Sequence, residues 1–319
     1  MKIITYYHPY LDSHFYEHNK ELEVILSPLV LSGSGEMSLI DLEKKFEELS
    51  SLGISLLLDW DILMTQNELE VAISYFEKLS HLGWKAVRVK DLGAADYIIK
   101  NTSFKIQFVS QIGNHNIAGL LAWQNHFGSR LESIALSPEL PLAKIKEYKK
   151  HLHKIEVLAL GPLLLFYTPR HLLQKYDGSE IIHAQATSEE SPHSGFRLLE
   201  NRHGHFMFHP KDMFLLDQIN ELSLVDSIKI DCRHIQDLEL VKLIYSSIQL
   251  KDETLVEEIK RNYPYPFFKG YFHTNKSNII FPKLKNKNLL KDQHYQGQVI
   301  GVEKEWGMII HIENQIDTA

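Results

Sequence analysis

The sequence predicts an α/β protein built on a TIM-barrel-like parallel (β/α) barrel with a small C-terminal β element. Short apolar segments alternate with amphipathic helical patterns along most of the chain, and parallel strands need such helical crossovers between them. No glycine-rich fingerprint of a dinucleotide-binding fold follows any of these segments, which favours a closed barrel over an open, doubly wound sheet. The predicted strands are Leu22–Leu26, Ile54–Asp59, Ala86–Val89, Lys105–Val109, Ser133–Leu136, Ile155–Leu160 and Ser227–Ile230.

Two regions of different composition divide the chain. Residues 1–262 carry the alternation of strands and helices and are predicted to form the barrel-like domain. Residues 263–319 are a basic, aromatic segment followed by a small β tail, in which Gln298–Val302 and Met308–Ile312 are the predicted strands. Within the first region, Gln174–Glu200 is polar and rich in Ser and Glu, and we expect a long surface insertion there.

The helices are predicted from their first residues and their apolar spacing. Thr65 and Glu68 have the spacing of a capping box, which marks the start of a helix. Proline fits the first turn of a helix, so Pro141 and Pro210 mark two further helical starts. The segment Asp237–Leu250 is predicted to be the last helix of the series.

Charge, hydropathy and cysteine content restrict the class of protein. The chain of 319 residues has a formal net charge of -7, with 44% hydrophobic and 24% charged residues, as in an ordinary soluble domain and unlike a general nucleic-acid-binding surface. The most apolar stretch, Ile155–Tyr167, is too short to cross a bilayer, and no secretory signal pattern is present, so we expect a cytoplasmic protein. Cys232 is the only cysteine, which excludes a four-cysteine iron–sulfur cluster within this chain, and no cofactor is predicted.

A basic segment departs from this overall negative charge. Residues 260–291 hold eight Lys or Arg side chains and no Asp or Glu, with aromatic residues interleaved. Positive charge combined with aromatic faces is used by single-stranded RNA-binding surfaces, so tRNA or rRNA is a predicted partner. The alternative is a solvated edge whose aromatic side chains point into the core. The candidate RNA contacts are Lys269, Lys283, Lys285 and Lys287.

Polar side chains at the carboxyl ends of the predicted strands are the candidates for chemistry, because functional residues of such barrels lie at that face. Asp91, Glu139, Asp231 and Arg233 are predicted to line a pocket there. An arginine in this place can clamp a carboxylate or phosphate through two parallel hydrogen bonds. Two structural alternatives compete: Asp91 can cap the following helix, and Asp231 can form an internal ion pair with Arg233. Further strand-end polar residues are Asp59, Asp61, Ser110 and Gln111.

The histidines suggest a metal site, but the pattern around them does not complete one. His203, His205 and His209 would share one face of an extended strand, and imidazole is a common zinc ligand. The carboxylate of a helical zinc-hydrolase motif is missing, and no nucleophile elbow, phosphate-binding loop or Ser-x-x-Lys motif is present. We therefore predict no metal and assign no catalytic residue. Convergence on a metal is left open for three histidines in or beside the polar insertion, His171, His183 and His193.

Five short segments, in their order along the chain, resemble a known family. They are V-K-D-L-G at Val89–Gly93, L-S-P-E-L at Leu136–Leu140, and the longer segments Asn201–Met213, Val225–Arg233 and Lys269–Phe272. Together they resemble the collagenase-like peptidases, peptidase family U32, whose superfamily includes prephenate-dependent hydroxylases. The resemblance runs from about residue 54 to residue 278.

The resemblance implies a barrel-like catalytic domain. Members of the family cleave peptides, and similar enzymes hydroxylate RNA bases or a quinone precursor, using prephenate and an iron–sulfur cluster on four cysteines. This sequence departs from that pattern, since Gly161–His171 and Ile181–Arg197 carry no cysteine where the ligands are expected. Cys232 stands at a glycine of the family pattern, and Pro138 replaces an arginine. The sequence is therefore identified as a divergent member without the cluster.

Three functional hypotheses follow from the resemblance. The first is a partner subunit or degenerate homologue in prephenate-dependent base hydroxylation of tRNA or rRNA, acting with a cysteine-containing paralogue. The second is a peptidase of the collagenase-like type that uses strand-end carboxylates or a metal. The third is a non-enzymatic scaffold that binds a small anion at Arg233.

Overall fold

The computed structural model describes residues 1–17, 19, 21–110, 115–173, 181–187, 194–273, 297–303 and 307–312. The chain forms two compact units, residues 1–273 and residues 274–319. The strands, in chain order, are β1 (Lys2–Tyr6), β2 (Leu22–Leu26), β3 (Ser55–Trp60), β4 (Ala86–Val89), β5 (Ile106–Val109), β6 (Leu131–Ala135), β7 (Ile155–Gly161), β8 (Leu164–Thr168), β9 (Ile182–Thr187), β10 (Ser194–Asn201), β11 (Gly204–Phe208), β12 (Asp212–Phe214), β13 (Ser227–Ile230), β14 (Phe267–Phe268), β15 (Gly297–Glu303) and β16 (Gly307–Ile312).

Eight parallel strands close into a barrel. Strands β1 to β7 are neighbours in chain order, and β13 pairs with both β1 and β7, through Lys2↔Ser227 and Ser227↔Glu156, which closes the ring. The predicted TIM-barrel-like fold is thus confirmed, with extra strands outside the ring. Seven of the eight barrel strands were predicted, and β1 was missed. Its sequence, Lys-Ile-Ile-Thr-Tyr, comes before the part of the chain where predicted strands and helices alternate.

Helices alternate with the barrel strands and cover their outer face. They are α1 (Ser13–Glu17), α2 (Leu39–Ser51), α3 (Gln66–Leu79), α4 (Leu92–Asn101), α5 (Ile117–Phe127), α6 (Leu142–Tyr148), α7 (Ile219–Leu222), α8 (Leu238–Leu250) and α9 (Glu253–Asn262). The predicted capping box at the start of α3 is present, with the Thr65 amide donating to Glu68 at 2.7 Å. The helix predicted at Asp237–Leu250 is present as α8, with Asp237 as its N-cap, but α9 follows it, so its place as the last helix was wrong.

The helix predicted to begin at Pro210 is also wrong. Residues Asp212–Phe214 form strand β12 instead, which pairs antiparallel with β7 and parallel with β14. Four consecutive side chains, from Met213 to Leu216, are almost fully buried. A segment that is buried on all sides shows no periodicity that distinguishes a strand from a helix.

The polar insertion predicted at 174–200 contains ordered strands in its described part. Strands β8, β11, β10 and β9 form an antiparallel sheet in that order, which we call the cover sheet. The cover sheet is joined to loops that follow β2 and β3. Asn201 Nδ2 donates to the Gly33 carbonyl at 2.8 Å, and the Leu63 amide donates to Tyr167 Oη at 3.2 Å. It therefore lies at the carboxyl-terminal mouth of the barrel.

The interior of the barrel combines a small apolar cluster, which includes Ile4, Ile25 and Leu57, with buried charged side chains. Arg88 is fully buried and forms a bidentate pair with Glu156, with nitrogen–oxygen distances of 2.7 and 2.9 Å. Its Nη1 atom also donates to Gln107, at 2.6 Å, and Gln107 Nε2 donates to Glu23 at 3.3 Å. The main apolar core lies instead between the strands and the surrounding helices. The barrel thus places charged side chains under its mouth.

The second unit is described only by β15 and β16, which pair as an antiparallel hairpin at the positions of the two predicted strands of the tail. Across the described ranges, no helix has the length and apolar character needed to cross a membrane.

Candidate functional site

A cavity of about 250 Å³ lies between the barrel mouth and the cover sheet. The cover sheet and its first connection supply apolar walls, and the carboxyl ends of barrel strands supply charged and polar side chains. The main apolar residues are Leu163, Leu164, Leu198, Leu199, Phe206 and Phe208. The main polar residues are Tyr6, Asp61, Lys90, Lys229, Asp231 and Arg233.

Strand geometry explains why these polar side chains converge. Side chains alternate between the two faces of a strand, so Lys229 and Asp231 both face the inside of the barrel at the end of β13. Tyr6 is the last residue of the neighbouring strand β1. Asp61 and Lys90 each follow a barrel strand directly. The parallel order therefore brings residues that are distant in sequence to one face of the barrel.

Arg233 is held by three contacts. Its guanidinium lies 3.4 Å from the centroid of the Tyr6 ring. It forms a bidentate ion pair with Asp231, at 3.0 and 2.8 Å, and Nη1 donates to Ser34 Oγ at 3.1 Å. Burial alone would raise the pKa of Asp231, but the charge and hydrogen bonds of Arg233 outweigh it and hold this pKa well below its usual range. The internal ion pair considered from sequence is therefore present.

Lys229 is the most deeply buried basic side chain of the cavity lining. Its Nζ atom donates to Tyr6 Oη at 3.1 Å and lies 4.5 Å from the ring centroid. Among the described residues it forms no ion pair. Burial and the positive charge of Arg88 lower the pKa of Lys229, and the charges of nearby carboxylates offset this only in part.

Two carboxylates at the end of β3 share one serine. Ser32 Oγ donates to Asp59 at 2.6 Å and lies 3.3 Å from Asp61, which also accepts the Gly33 amide at 2.7 Å. Burial and the charge of Asp61 raise the pKa of Asp59 to about 6. Burial would also raise the pKa of Asp61, but Lys90 and the Gly33 amide lower it below its usual value. The pair therefore has pKa values pushed apart, as in acid–base pairs.

Gly33 is the point where this carboxylate pair meets the cover sheet. A Cβ atom at position 33 would lie 2.7 Å from the Phe206 ring, so a larger residue would displace the sheet from the barrel mouth. Its amide and its carbonyl are both engaged, by Asp61 and Asn201 respectively.

The buried carboxylate of Asp212 holds two side chains that line the cavity. Asp212 on β12 accepts hydrogen bonds from Arg197, from His234 Nε2 at 2.7 Å and from Tyr263 Oη at 2.9 Å. Burial would raise its pKa, but His234 and Arg197 lower it below the usual value. Arg197 and His234 both line the cavity, so Asp212 ties the cover sheet to the loop after β13.

The structure brings together two of the four residues predicted for the pocket. Asp231 and Arg233 line the cavity side by side. Asp91 instead caps α4, accepting the Ala94 amide at 3.0 Å. Glu139 is exposed and lies 3.7 Å from His115.

Sequence reasoning did not single out Tyr6 or Lys229. Tyr6 lies in the unrecognised strand β1, and a lysine inside a predicted strand looks like a solvent-facing residue. The sequence did contain one signal for Lys229. It stands two residues before Asp231, so both side chains point to the same face of the strand.

The histidines considered from sequence as metal ligands have other partners. His203 Nε2 lies 2.7 Å from the Leu29 carbonyl, and His205 Nδ1 lies 3.0 Å from Glu200. His171 Nε2 lies 3.0 Å from the Asn201 carbonyl. In the described part of the chain no group of three or more His, Cys, Asp or Glu side chains is placed to hold a metal ion. Of the remaining ones, His183 lines the cavity and His193 lies outside the described residues.

The predicted RNA contacts are only partly within the described residues. Lys269 Nζ lies 2.9 Å from Asp217, in an ion pair. Tyr263 and Phe272 of the same segment are buried in the core. Lys283, Lys285 and Lys287 lie outside the described residues.

The residues present do not fit the iron–sulfur cluster that the family resemblance implies. Cys232 is the only cysteine of the sequence. It is buried at the end of β13, and burial raises the pKa of its thiol well above the usual value, which disfavours the thiolate that metals bind.

Comparison with known proteins gives one family and one similar structure. The model of peptidase family U32 matches residues 32–279, more than half of the chain. A solved structure of the U32 peptidase Mk0906 is similar over 51% of this chain and 70% of its own, at 10% identity and a TM-score of 0.41. No significant match is found among curated proteins.

Proposed function

This chain belongs to peptidase family U32, and from that premise we propose that it binds a small organic dicarboxylate and acts as a cluster-less partner subunit. The reaction would be prephenate-dependent hydroxylation of tRNA or rRNA bases. The observation that carries the proposal is the cavity at the barrel mouth, which combines cationic side chains with apolar walls.

The cavity lining matches the chemistry of such a ligand. Arginine and lysine bind carboxylates, and Arg233, Lys229 and Lys90 all face the cavity. Phe206 and Phe208 offer apolar surface to a carbon ring. Prephenate has a ring and two carboxylates, one of them in a 2-oxo acid side chain, so it places both kinds of group in one small molecule. Sites of this kind are mostly apolar with a few oriented polar groups.

The role as a partner follows from what the sequence lacks. A single buried cysteine cannot supply a redox cluster, so the electron-transfer step would belong to a cysteine-containing paralogue. The basic residues 260–291 would add positive charge for the RNA in that assembly.

Two measurements test the proposal. A tagged pull-down from native cells, followed by mass spectrometry and RNA sequencing, should recover a cysteine-containing family member together with tRNA or rRNA.

Calorimetric titration with prephenate should show binding that Lys90→Gln weakens by about tenfold or more. The matched control is Lys144→Gln, on the exposed face of α6, which should bind like the parent protein. Recovery of neither partner, together with no prephenate binding, would contradict the proposal.

The Asp59–Asp61 pair favours a second candidate, a peptide hydrolase. Asp59, with a pKa raised to about 6, keeps its proton to a higher pH than an ordinary carboxyl group, while its neighbour stays ionised, which is the arrangement used for acid–base hydrolysis. Only Asp61 lines the cavity, so it would be the group that contacts a substrate. The hydrolase predicts cleavage of denatured collagen that Asp61→Asn abolishes, whereas the binding subunit predicts no cleavage by either form.

A further inference from the structure

We propose that Lys229 is a covalent attachment site, whose amine condenses with the carbonyl group of a 2-oxo acid held in the barrel-mouth cavity to form an imine. The inference rests on the proposed function for the presence of a small carboxylate ligand, and it adds the ligand class and the reacting atom. It concerns a residue to which neither the family match nor the motifs assign a role.

The placement of the amine carries the inference. Lys229 is buried, with 8% of its surface exposed, yet it lines the cavity. Its single hydrogen-bond partner among the described residues is the Tyr6 hydroxyl, at 3.1 Å, and it forms no ion pair there. A buried ammonium without a counter-ion is costly, whereas a buried neutral amine is not. A neutral amine is the nucleophile that attacks carbonyl groups.

Burial and the charge of Arg88 together outweigh the carboxylates around the amine. Arg88 lies below it on β4 and disfavours a second positive charge, and burial adds to that effect. Three carboxylates oppose it, Asp59 on β3, Glu156 on β7 and Asp231 on the same strand. Two of them are engaged elsewhere, Glu156 by Arg88 and Asp231 by Arg233. The pKa of Lys229 is therefore lowered, which increases the fraction of reactive amine.

The neighbouring groups select a 2-oxo acid among carbonyl compounds. Arg233 contacts the same Tyr6 ring as Lys229, and both side chains line the cavity. The Nε and Nη2 atoms of Arg233 each donate one hydrogen bond to Asp231, and Nη1 donates to Ser34. Because Nη2 carries two N–H groups, the second one remains for a ligand carboxylate. Lys90 adds a second cation to the lining. A carboxylate held by these groups would place the adjacent carbonyl carbon near Lys229.

The step balances without any other reactant. The nitrogen lone pair of Lys229 forms a bond to the carbonyl carbon, and one proton moves from nitrogen to the former carbonyl oxygen. The resulting hydroxyl group leaves as water after taking a proton from Tyr6 Oη, and the second nitrogen proton returns to Tyr6. Burial, together with the charge of Asp59, raises the pKa of Tyr6 well above its usual value, so its hydroxyl is present to donate. The products are an imine and water.

Reductive trapping tests the inference on the full chain. The protein is incubated with pyruvate and sodium cyanoborohydride, and the modified residues are mapped by peptide mass spectrometry. We expect one carboxyethyl group on Lys229, at about tenfold higher yield than on any other lysine. Lys229→Met should lose this adduct, and Lys229→Arg should lose it while keeping a positive charge that binds carboxylates. The control Lys242→Gln, at an exposed site on α8, should be labelled at Lys229 like the parent protein.

The outcomes separate this inference from the proposed function. An adduct that is spread evenly over surface lysines, or that persists in Lys229→Met, overturns it. Reversible binding of prephenate without any trapped adduct overturns the imine but leaves the dicarboxylate site intact. A trapped adduct on Lys229 without prephenate binding supports the imine and argues against prephenate as the ligand.

Discussion

The guanidinium of Arg233 lies 3.4 Å from the centroid of the Tyr6 ring, and this contact joins the first barrel strand to the loop after the last. The ring also lies 4.5 Å from Lys229 Nζ, and its hydroxyl accepts a hydrogen bond from that nitrogen. Tyr6 thus holds two basic side chains that are separated from it by more than 200 residues of sequence. Cation–π contacts of this kind are stronger when they are shielded from water.

The first prediction concerns the two parts of the Tyr6 side chain. Tyr6→Phe keeps the ring but removes the hydrogen-bond acceptor of Lys229, so the free energy of unfolding should fall by about 1 kcal/mol. Tyr6→Leu also removes the aromatic face from the Arg233 guanidinium and from Lys229 Nζ, which should cost about 2 kcal/mol more. Urea denaturation measures both. Tyr10→Phe, at a residue that is 73% exposed, is the control and should change stability by less than about 0.5 kcal/mol. Equal stability of Tyr6→Phe and Tyr6→Leu would contradict the role of the ring.

The second prediction concerns the ion pair inside the barrel. Glu156→Gln leaves the fully buried Arg88 without a counter-ion, so the free energy of unfolding should fall by about 3–5 kcal/mol. The double variant Arg88→Met/Glu156→Leu removes both charges and should recover most of that loss. The matched control is Glu147→Gln in the exposed pair with Lys144, which should unfold at the same urea concentration as the parent protein. A single variant as stable as the parent protein would show that the pair is not buried in solution.

Much of the barrel follows from its sequence because parallel barrel strands are short, apolar and separated by helices. Strands β2, β4 and β13 begin and end at the predicted residues. The strand β12 was missed because its neighbours are buried on every side and leave no periodicity.

The site was harder to predict than the fold, because polar residues that point into a barrel alternate along a strand in the same way as residues that face solvent. Asp231 and Arg233 were identified, since they follow a strand end where such residues usually act. Lys229 has the same alternation as an exposed lysine, and only closure of the ring buries it. Asp91 fits a helix cap and a functional carboxylate equally well in sequence, and the Ala94 amide decides for the cap.

The third prediction is a pH dependence of stability that arises from Asp59. Its pKa is raised from 3.8 to about 6 in the folded protein, so the folded state binds this proton more tightly than the unfolded state does. The stability from the protonated form is fully present below pH 3.8 and is lost as the pH rises through about 6. Relative to Asp59→Asn, which cannot ionise, the parent protein should lose about 3 kcal/mol between these limits.

Chemical denaturation at a series of pH values measures this difference. Asp96→Asn, in an exposed ion pair on α4, is the control and should follow the parent protein across the same range. A parent protein that gains stability relative to Asp59→Asn as the pH rises would show that Asp59 is ionised at low pH, against the inference drawn from its burial.

The last prediction concerns RNA and the lysines of the basic segment. Lys283→Gln, Lys285→Gln and Lys287→Gln together should weaken binding of tRNA, because each lysine that contacts a phosphate releases a counter-ion. When the logarithm of affinity is plotted against the logarithm of salt concentration, the negative slope should become shallower by about 2 for the three substitutions. Lys269→Gln should have a smaller effect, since Asp217 already neutralises that ammonium at 2.9 Å. Fluorescence anisotropy with labelled tRNA at several salt concentrations measures both quantities. An unchanged slope in the triple variant would exclude these lysines from the RNA interface, and binding would then have to involve another surface.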